Sequence, residues 1–202
     1  MILESEQWTL FSEGAEEEEV SGIVFDGSWL WEEYVATVLN TIDFIHCVRG
    51  GTDEQKGLKM LKSGKVRFYP DFYKYDSDVS KRIVLDAKYK RANPNGVRDD
   101  VHQVICYLLL TGAKLGGLVF PPVDDKCEDK EALEAEENIG GNDKRTGWSE
   151  RKEIDTPYGN NGNKVFWSSF SWEAVPDSNV SWQKFCDYMK KQESNLRRLY
   201  NE

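Results

Sequence analysis

The stretch "RFYPDFYKYDSDVSKRIVLDAKYK", residues 67–90, decides the fold and places two aspartates on apolar segments. "RFYPDFYKY" predicts a strand bent near Pro70, because proline cannot donate to a central ladder. "SDVS" predicts a turn, and "KRIVLDAKYK" predicts a second strand that is covered on both faces. The two strands should form a hairpin. A buried carboxylate is costly unless it is paired or holds a metal, so Asp71 and Asp86 need a reason for their positions.

The segments before and after the hairpin also have recognisable patterns. "SGIVFDGSWLWEEYVATVLNTI" predicts a helix from about Ser28 to Thr41 with Ser28 as its N-cap. "DFIHCVRGG" predicts a buried strand, and "KGLKMLKSGK" predicts a loop or a short helical turn. After the hairpin, "VHQVICYLLLTGAK" predicts a helix that is capped by Asp99 or Asp100 and stops at glycines.

The C-terminal half adds strands, an insertion and a last helix. "GGLVFPP" and "NKVFWSSFSW" predict strands, and "SNVSWQKFCDYMKKQESNLRRLY" predicts an amphipathic helix. The acidic region between these strands, at about 123–163, has too little apolar content to pack well and predicts a solvent-exposed insertion. We expect an acidic segment over residues 1–25 and one α/β domain over 26–202, with a mixed central β-sheet flanked by helices.

Charge is segregated along the chain. The formal net charge is -10, which taken alone argues against a nucleic-acid partner. Residues 4–19, however, hold seven Glu and no Lys or Arg, and residues 124–143 hold nine acids against two lysines. Residues 56–98 hold twelve Lys or Arg against four Asp. The hairpin therefore lies in the basic part of the chain, where a phosphate-bearing partner would be expected.

The apolar runs and the cysteines of the sequence indicate the cellular compartment of the protein. We find no apolar run long enough to cross a bilayer and no secretory signal, so the sequence predicts a cytoplasmic protein without a membrane partner. The four cysteines are widely spaced and form no CxxC pair, which favours reduced thiols over a zinc ribbon or a redox motif.

The residues of the hairpin suggest phosphodiester chemistry. Asp86 and Lys88 are two apart on a predicted strand, so their side chains project from the same face. Asp71, at the bend of the partner strand, could supply a second carboxylate. A few carboxylates suit Mg²⁺, which keeps several waters, and a neighbouring lysine can orient a water or stabilise charge on a phosphate.

At these residues the sequence resembles a known family. Pro70-Asp71 followed by Asp86-Ala87-Lys88 is similar to the PD-(D/E)XK nuclease signature. More narrowly, "VLDAKYK", "DDVHQVICYLL" and "GGLVFPP" resemble the C-terminal nuclease domain of the McrC family, the cleaving subunit of McrBC-type and LlaJI-type restriction systems. The resemblance runs from about Asp26 to Pro122. It implies a PD-(D/E)XK fold and a Mg²⁺-dependent DNA endonuclease, with Mn²⁺ as a possible substitute.

The resemblance also implies roles for individual residues. Asp71 and Asp86 would bind the metal, Lys88 would position the attacking water, Glu32 (or Glu33) would add a ligand contact, and Gln103 would reach toward the metal or the DNA backbone. The alternatives are a first-turn glutamate that serves the helix dipole and a glutamine that links helix to sheet. A phosphate track would be formed by basic residues that could instead be an ordinary solvated face: Lys56, Lys59, Lys62, Lys65, Lys90 and Arg91.

The partners implied by the resemblance are DNA and an AAA+ GTPase of McrB type. McrC-type proteins carry an N-terminal docking region, and only about 25 residues precede the predicted nuclease helix here, so docking is an open question. Two other readings remain. The chain could be a non-catalytic interaction module that keeps the nuclease fold, or a repair or RNA nuclease of the same superfamily.

Overall fold

Among the residues that the structure describes, the fold is built from short strands and three helices. The computed structural model describes residues 7–9, 19–21, 26–49, 51–52, 57–59, 66–90, 98–122, 152–154, 165–173, 175 and 180–201. The helices are α1 (Gly27–Leu39), α2 (Arg98–Thr111) and α3 (Trp182–Asn201). The strands are β1 (Gln7–Thr9), β2 (Glu19–Ser21), β3 (Ile45–His46), β4 (Leu58–Lys59), β5 (Arg67–Phe68), β6 (Phe72–Lys74), β7 (Ile83–Ala87), β8 (Leu115–Phe120), β9 (Lys152–Ile154), β10 (Val165–Trp167) and β11 (Phe170–Ser171). Short 3₁₀ turns cover Asn40–Ile42 and Val79–Lys81.

A mixed sheet forms the centre of the molecule. Its order is β3-β6-β7-β8-β10-β9, and β11 pairs with the far end of β8. The pairs β3/β6, β6/β7 and β9/β10 are antiparallel, whereas β7/β8, β8/β10 and β8/β11 are parallel. Strands β1 and β2 pair with each other, as do β4 and β5, in two small separate sheets. The predicted mixed α/β architecture and the predicted hairpin are confirmed.

Helices cover both faces of the sheet because its central strands are apolar on both sides. Leu85 and Val119 pack with α1 and α3 in one core cluster. Val84 and Leu118 pack with α2 in a second cluster on the opposite face. All six residues of β8 are buried, as the centre of a three-layer structure requires.

Strand β8 also accepts a very close backbone neighbour. A Cβ built on Gly117 would lie 1.7 Å from the carbonyl oxygen of Ser168, so only glycine fits at this position. Ser168 lies between β10 and β11, and its backbone amide donates to the carbonyl of Gly116 on β8 at 3.0 Å. Gly117 therefore allows this segment to pack along one edge of β8, whereas Gly116 leaves room for Val104 and Leu108 of α2.

Several local predictions need correction. The N-cap of α1 is Asp26, not Ser28, because the Asp26 side chain accepts from the amides of Ser28 and Trp29. Helix α2 begins at Arg98, so Asp99 and Asp100 lie in its first turn and do not cap it. Part of the segment predicted as a loop or helical turn is β4, paired with β5.

The predicted acidic insertion is described only in part. Within residues 123–163, Lys152–Ile154 form β9 at the edge of the central sheet, and the other residues lie outside the described ranges. This strand, paired with β10, was not predicted from the sequence. In the parts of the chain that the structure describes, no helix has the length and apolar character needed to cross a bilayer.

Candidate active site

The antiparallel pairing of β6 and β7 brings the two hairpin aspartates together. Phe72 is paired with Leu85, and one further step of the same register places Asp71 opposite Asp86. Residues that face each other across antiparallel strands project from the same face of the sheet. The Asp71 carboxylate also accepts a hydrogen bond from the backbone amide of Ala87 at 2.7 Å. This bond fixes Asp71 at the end of β7, beside Asp86.

Asp86 is a buried carboxyl group with few hydrogen-bond donors around it. Its exposed fraction is 1%, and neither of its oxygens accepts a well-directed hydrogen bond from the described residues. Burial raises the pKa of Asp86, and Asp100 and Glu32 act in the same direction while Lys88 opposes them. Burial, with the added charges of Asp86 and Glu32, raises the pKa of Asp71 to about 8. Two such carboxyl groups at one site favour a bound proton or cation over two free negative charges.

Lys88 lies against this pair and is held by three groups. Its Nζ forms an ion pair with Asp86 and donates to Oε1 of Gln103 at 3.0 Å. The same Nζ lies 3.9 Å from Oδ1 of Asp100, on the first turn of α2. Burial disfavours the charged lysine, but the carboxylates of Asp86, Asp71 and Asp100 together outweigh burial and raise its pKa. Lys88 is therefore a fixed cation at the end of β7.

Gln103 connects this lysine to the rest of the second core cluster. Its Nε2 donates to the hydroxyl of Tyr107 at 3.0 Å, and that hydroxyl donates to the carbonyl of Tyr69 at 3.2 Å. Tyr107 is buried, and burial raises the pKa of its phenol. Gln103 thus connects α2 to the strand side of the site, as one of its two predicted roles requires, and it also contacts Lys88. Its other predicted role, a contact with the metal or the DNA backbone, stays a prediction.

Glu32 approaches the site from α1 on the other side of the sheet. Its Oε1 lies 2.7 Å from Nε2 of His46 on β3, and its charge acts on both Asp71 and Asp86. The predicted helix therefore delivers a carboxylate near the hairpin pair. The described contacts connect Glu32, rather than Glu33, to the site.

The residues present suit a hard divalent cation such as Mg²⁺. The oxygens of Asp86 are in contact with the Lys88 ammonium group, and the carboxylates of Asp71 and Glu32 lie close enough to interact electrostatically with Asp86. No group of three His, Cys, Asp or Glu side chains is arranged as a ready-made metal cage in the described ranges. Mg²⁺ does not require such a cage, because it is often held by one or two carboxylates while it keeps waters and substrate oxygens.

The predicted phosphate track is only partly described. Lys56, Lys62, Lys65 and Arg91 lie outside the described residues, whereas Lys59 is exposed on β4. Lys90 forms an ion pair with Asp100. Its charge is thus partly used within the protein, although the side chain remains partly exposed.

Two residues of this site were not assigned site roles from the sequence. Asp100 was one of two candidate caps of α2, the other being Asp99, but it pairs with Lys90 and lies close to Lys88. His46 was read as part of a buried strand but is bonded to Glu32. An acidic residue in "RDDVHQ", three before Gln103 on the same helix face, was an available signal for Asp100. His46 gave no comparable signal, because its partner is distant in sequence.

Comparisons with known proteins give a family for the chain and a similar fold. The family model described as "McrBC 5-methylcytosine restriction system component" matches residues 1–121 of the chain. No curated protein sequence gives a match. A chain in the refined half-complex from the tetradecameric assembly of Thermococcus gammatolerans McrB AAA+ hexamers with bound McrC is similar in structure, with a TM-score of 0.52 and 16% sequence identity.

The extent of these matches limits what each shows. The structural match covers 89% of this chain and 34% of that chain, so the protein spans about a third of the length of its structural relative. At 16% identity, the likeness concerns the fold alone. The family match, in contrast, covers residues 1–121 of 202, which is more than half of the chain and includes α1, the hairpin, α2 and β8. This chain therefore belongs to the McrBC 5-methylcytosine restriction system component family.

Proposed function

We propose that this protein is the DNA-cleaving component of an McrBC-type restriction system, a Mg²⁺-dependent endonuclease of the PD-(D/E)XK type. The observation that carries the proposal is the convergence of Asp71, Asp86 and Lys88 at the end of β7. Asp86 is almost fully buried there, and its carboxylate forms an ion pair with Lys88. A buried ion pair contributes little to stability, so a purely structural role does not explain why these charged residues are buried together.

The chain's own residues divide the chemistry among them. Asp71 and Asp86 would hold the divalent cation, with Glu32 as an additional carboxylate. The cation would supply Lewis-acid stabilisation of the charge that develops on the scissile phosphate. Lys88 would donate to the attacking water or to a phosphate oxygen, since its ammonium group is charged and fixed by Gln103. Gln103 and Asp100 would keep Lys88 in place when Asp86 turns toward the cation.

We also propose that the protein acts together with an AAA+ GTPase of McrB type. The support is membership of the McrBC family and similarity to a structure of McrB AAA+ hexamers with bound McrC. In that arrangement the partner would supply nucleotide-driven movement along DNA. The basic residues near the hairpin, including Lys59 and Lys90, would contact the phosphate backbone.

Metal binding is the direct test of the site. We expect Mn²⁺ to bind the wild type in titration calorimetry, and Asp71→Asn and Asp86→Asn to lose this binding. Asparagine keeps the shape of each side chain and an acceptor oxygen. Asp99→Asn is the matched control, because Asp99 is exposed on the first turn of α2 and its replacement removes the same charge. A well-folded wild type that binds no Mn²⁺, with or without DNA, would favour a non-catalytic interaction module.

A cleavage assay tests the role of Lys88 and distinguishes a DNA endonuclease from an RNA nuclease of the same superfamily. With a McrB-type partner and Mg²⁺, the wild type should cut DNA, and Lys88→Gln should bind Mn²⁺ yet cut at least about 100-fold more slowly. Equal turnover of Lys88→Gln and wild type would remove Lys88 from the chemistry. Preferential cleavage of RNA under the same conditions would support the RNA-nuclease alternative.

A further inference from the structure

A cleft of about 350 Å³ opens beside the proposed active site. Two prolines that follow β8, an indole on α1 and two residues that follow Lys88 form its lining: Trp31, Tyr89, Lys90, Pro121 and Pro122. Apart from Lys90, these groups present flat or ring-shaped apolar surfaces. The cleft lies at the carboxyl ends of the parallel strands β7 and β8, where α/β proteins commonly bind ligands.

The cleft and the proposed active site lie next to each other at the end of β7. The indole Nε1 of Trp31 and the backbone amide of Lys88 both donate to the carbonyl of Val119, at 3.3 and 2.9 Å. On the other side, Lys90 pairs with Asp100, which itself lies 3.9 Å from Lys88. A ligand in the cleft would therefore lie next to the phosphate at which Lys88 is proposed to act.

Tyr89 is exposed, yet the chain holds its ring in a defined place. Its exposed fraction is 59%, and it lies two residues after the end of β7. The ring rests against Gly27 at the start of α1, where an added Cβ would lie 2.8 Å from the ring atom Cε1. Gly27 thus leaves room for the ring to lie on the helix terminus and to present its surface to the cleft.

We propose that this cleft binds an unpaired nucleobase of the DNA strand at the active site, by stacking on Tyr89. Stacking on aromatic side chains is the usual way in which proteins hold unstacked bases, and it tolerates any base. Lys90 would contact the phosphate next to that base. The inference rests on the proposed function, since it assigns the cleft to the same DNA strand. A proline-rich peptide of a partner would fit an aromatic and proline surface as well, but a cation beside the cleavage site favours nucleic acid.

The test compares DNA with and without bases. Fluorescence anisotropy in EDTA, where no cleavage occurs, gives the affinity of the full chain for a short oligothymidylate and for an abasic strand of equal length. Because phosphate contacts are the same in both probes, the ratio of the two affinities reports base contact alone. We expect the wild type to prefer the strand with bases by at least about 5-fold. Tyr89→Ala should abolish this preference, whereas Tyr89→Phe should keep it.

Tyr75→Ala is the matched control, because Tyr75 is also an exposed tyrosine but belongs to the turn that follows β6. It should keep the wild-type preference. Equal affinity of the wild type for both strands would overturn the base site, even if cleavage and Mn²⁺ binding proceed as proposed. Absence of binding to either strand, or binding of a proline-rich peptide that Tyr89→Ala abolishes, would overturn it too. Loss of Mn²⁺ binding is a separate result that bears on the proposed function, since the anisotropy assay contains no metal.

Discussion

At the scale of single residues, the site is a row of alternating charges. Asp86, Lys88, Asp100 and Lys90 follow one another, each in contact with or close to the next. Three of them, Asp86, Lys88 and Lys90, come from alternate positions along β7 and the residues that follow it, and Asp100 comes from α2. Lys88 therefore has opposite charges on both sides, so its position does not depend on Asp86 alone.

Asp100 should act as a positioning residue for Lys88. Replacing it with asparagine removes one of the two carboxylates that flank the ammonium group, so Lys88 becomes less well held. We expect Asp100→Asn to lower kcat by about 10-fold while KM and Mn²⁺ affinity change little, as is typical for residues that orient a catalytic group. Asp99→Asn, on the same helix turn, should stay within about 2-fold of wild type. An equal loss in both variants would show a general effect of charge on α2.

Asp71 should reduce the stability of the metal-free protein. It faces Asp86 in a buried position, and two carboxyl groups that share such a site repel each other or must hold a proton at a cost. We expect Asp71→Asn to raise the free energy of unfolding in EDTA by about 1 kcal/mol. Asparagine retains an oxygen that can accept from the Ala87 amide. Urea denaturation measures the change, and a destabilised Asp71→Asn variant would contradict the proposed repulsion.

At the scale of secondary-structure elements, the local sequence patterns predicted which side chains share a face better than they predicted where each element begins and ends. Alternation along "IVLDAKYK" placed Asp86 and Lys88 on one face, because side-chain direction in a strand depends only on the strand itself. The cap of α1 was misplaced by two residues, since Asp26 and Ser28 are both good caps and only the local backbone decides between them. Strand β9 and the contact of His46 with Glu32 depend on partners far away in sequence, which no local pattern encodes.

The cap of α1 can be tested directly. Asp26 accepts from the amides of Ser28 and Trp29 at 2.9 and 3.3 Å, so Asp26→Ala leaves these groups without that acceptor. We expect a lower free energy of unfolding, measured by chemical denaturation. Asp26→Asn should retain most of the stability. A larger loss in Ser28→Ala than in Asp26→Ala would restore Ser28 as the cap.

At the scale of the whole molecule, the second half of the chain completes the fold of the first. Strands β10 and β11 pair with β8, and α3 contributes buried Leu196 and Tyr200 to the core cluster around α1. The family match ends at residue 121, before any of these elements. The candidate site is thus built by the first half but supported by the second.

A chain that ends after Pro122 should therefore fail to fold. It would expose one edge of β8 and leave the α1 side of the sheet without α3, so much of one core cluster would meet water. We expect no cooperative thermal unfolding and rapid proteolysis, in contrast to the full chain under the same conditions. Cooperative unfolding of the shortened chain would show that residues 1–122 form an independent unit.

The carbonyl of Val119, which accepts from both Trp31 and Lys88, affects which positions can be substituted in related sequences. Every amino acid carries a backbone carbonyl, so a substitution at position 119 changes the side chain without removing this hydrogen-bond acceptor. The donors differ in this respect: any residue except proline at position 88 keeps its amide, but no other amino acid supplies the indole N–H of Trp31. In related sequences that keep this link between α1 and the end of β7, we expect tryptophan at position 31 to persist where the residue at 119 varies.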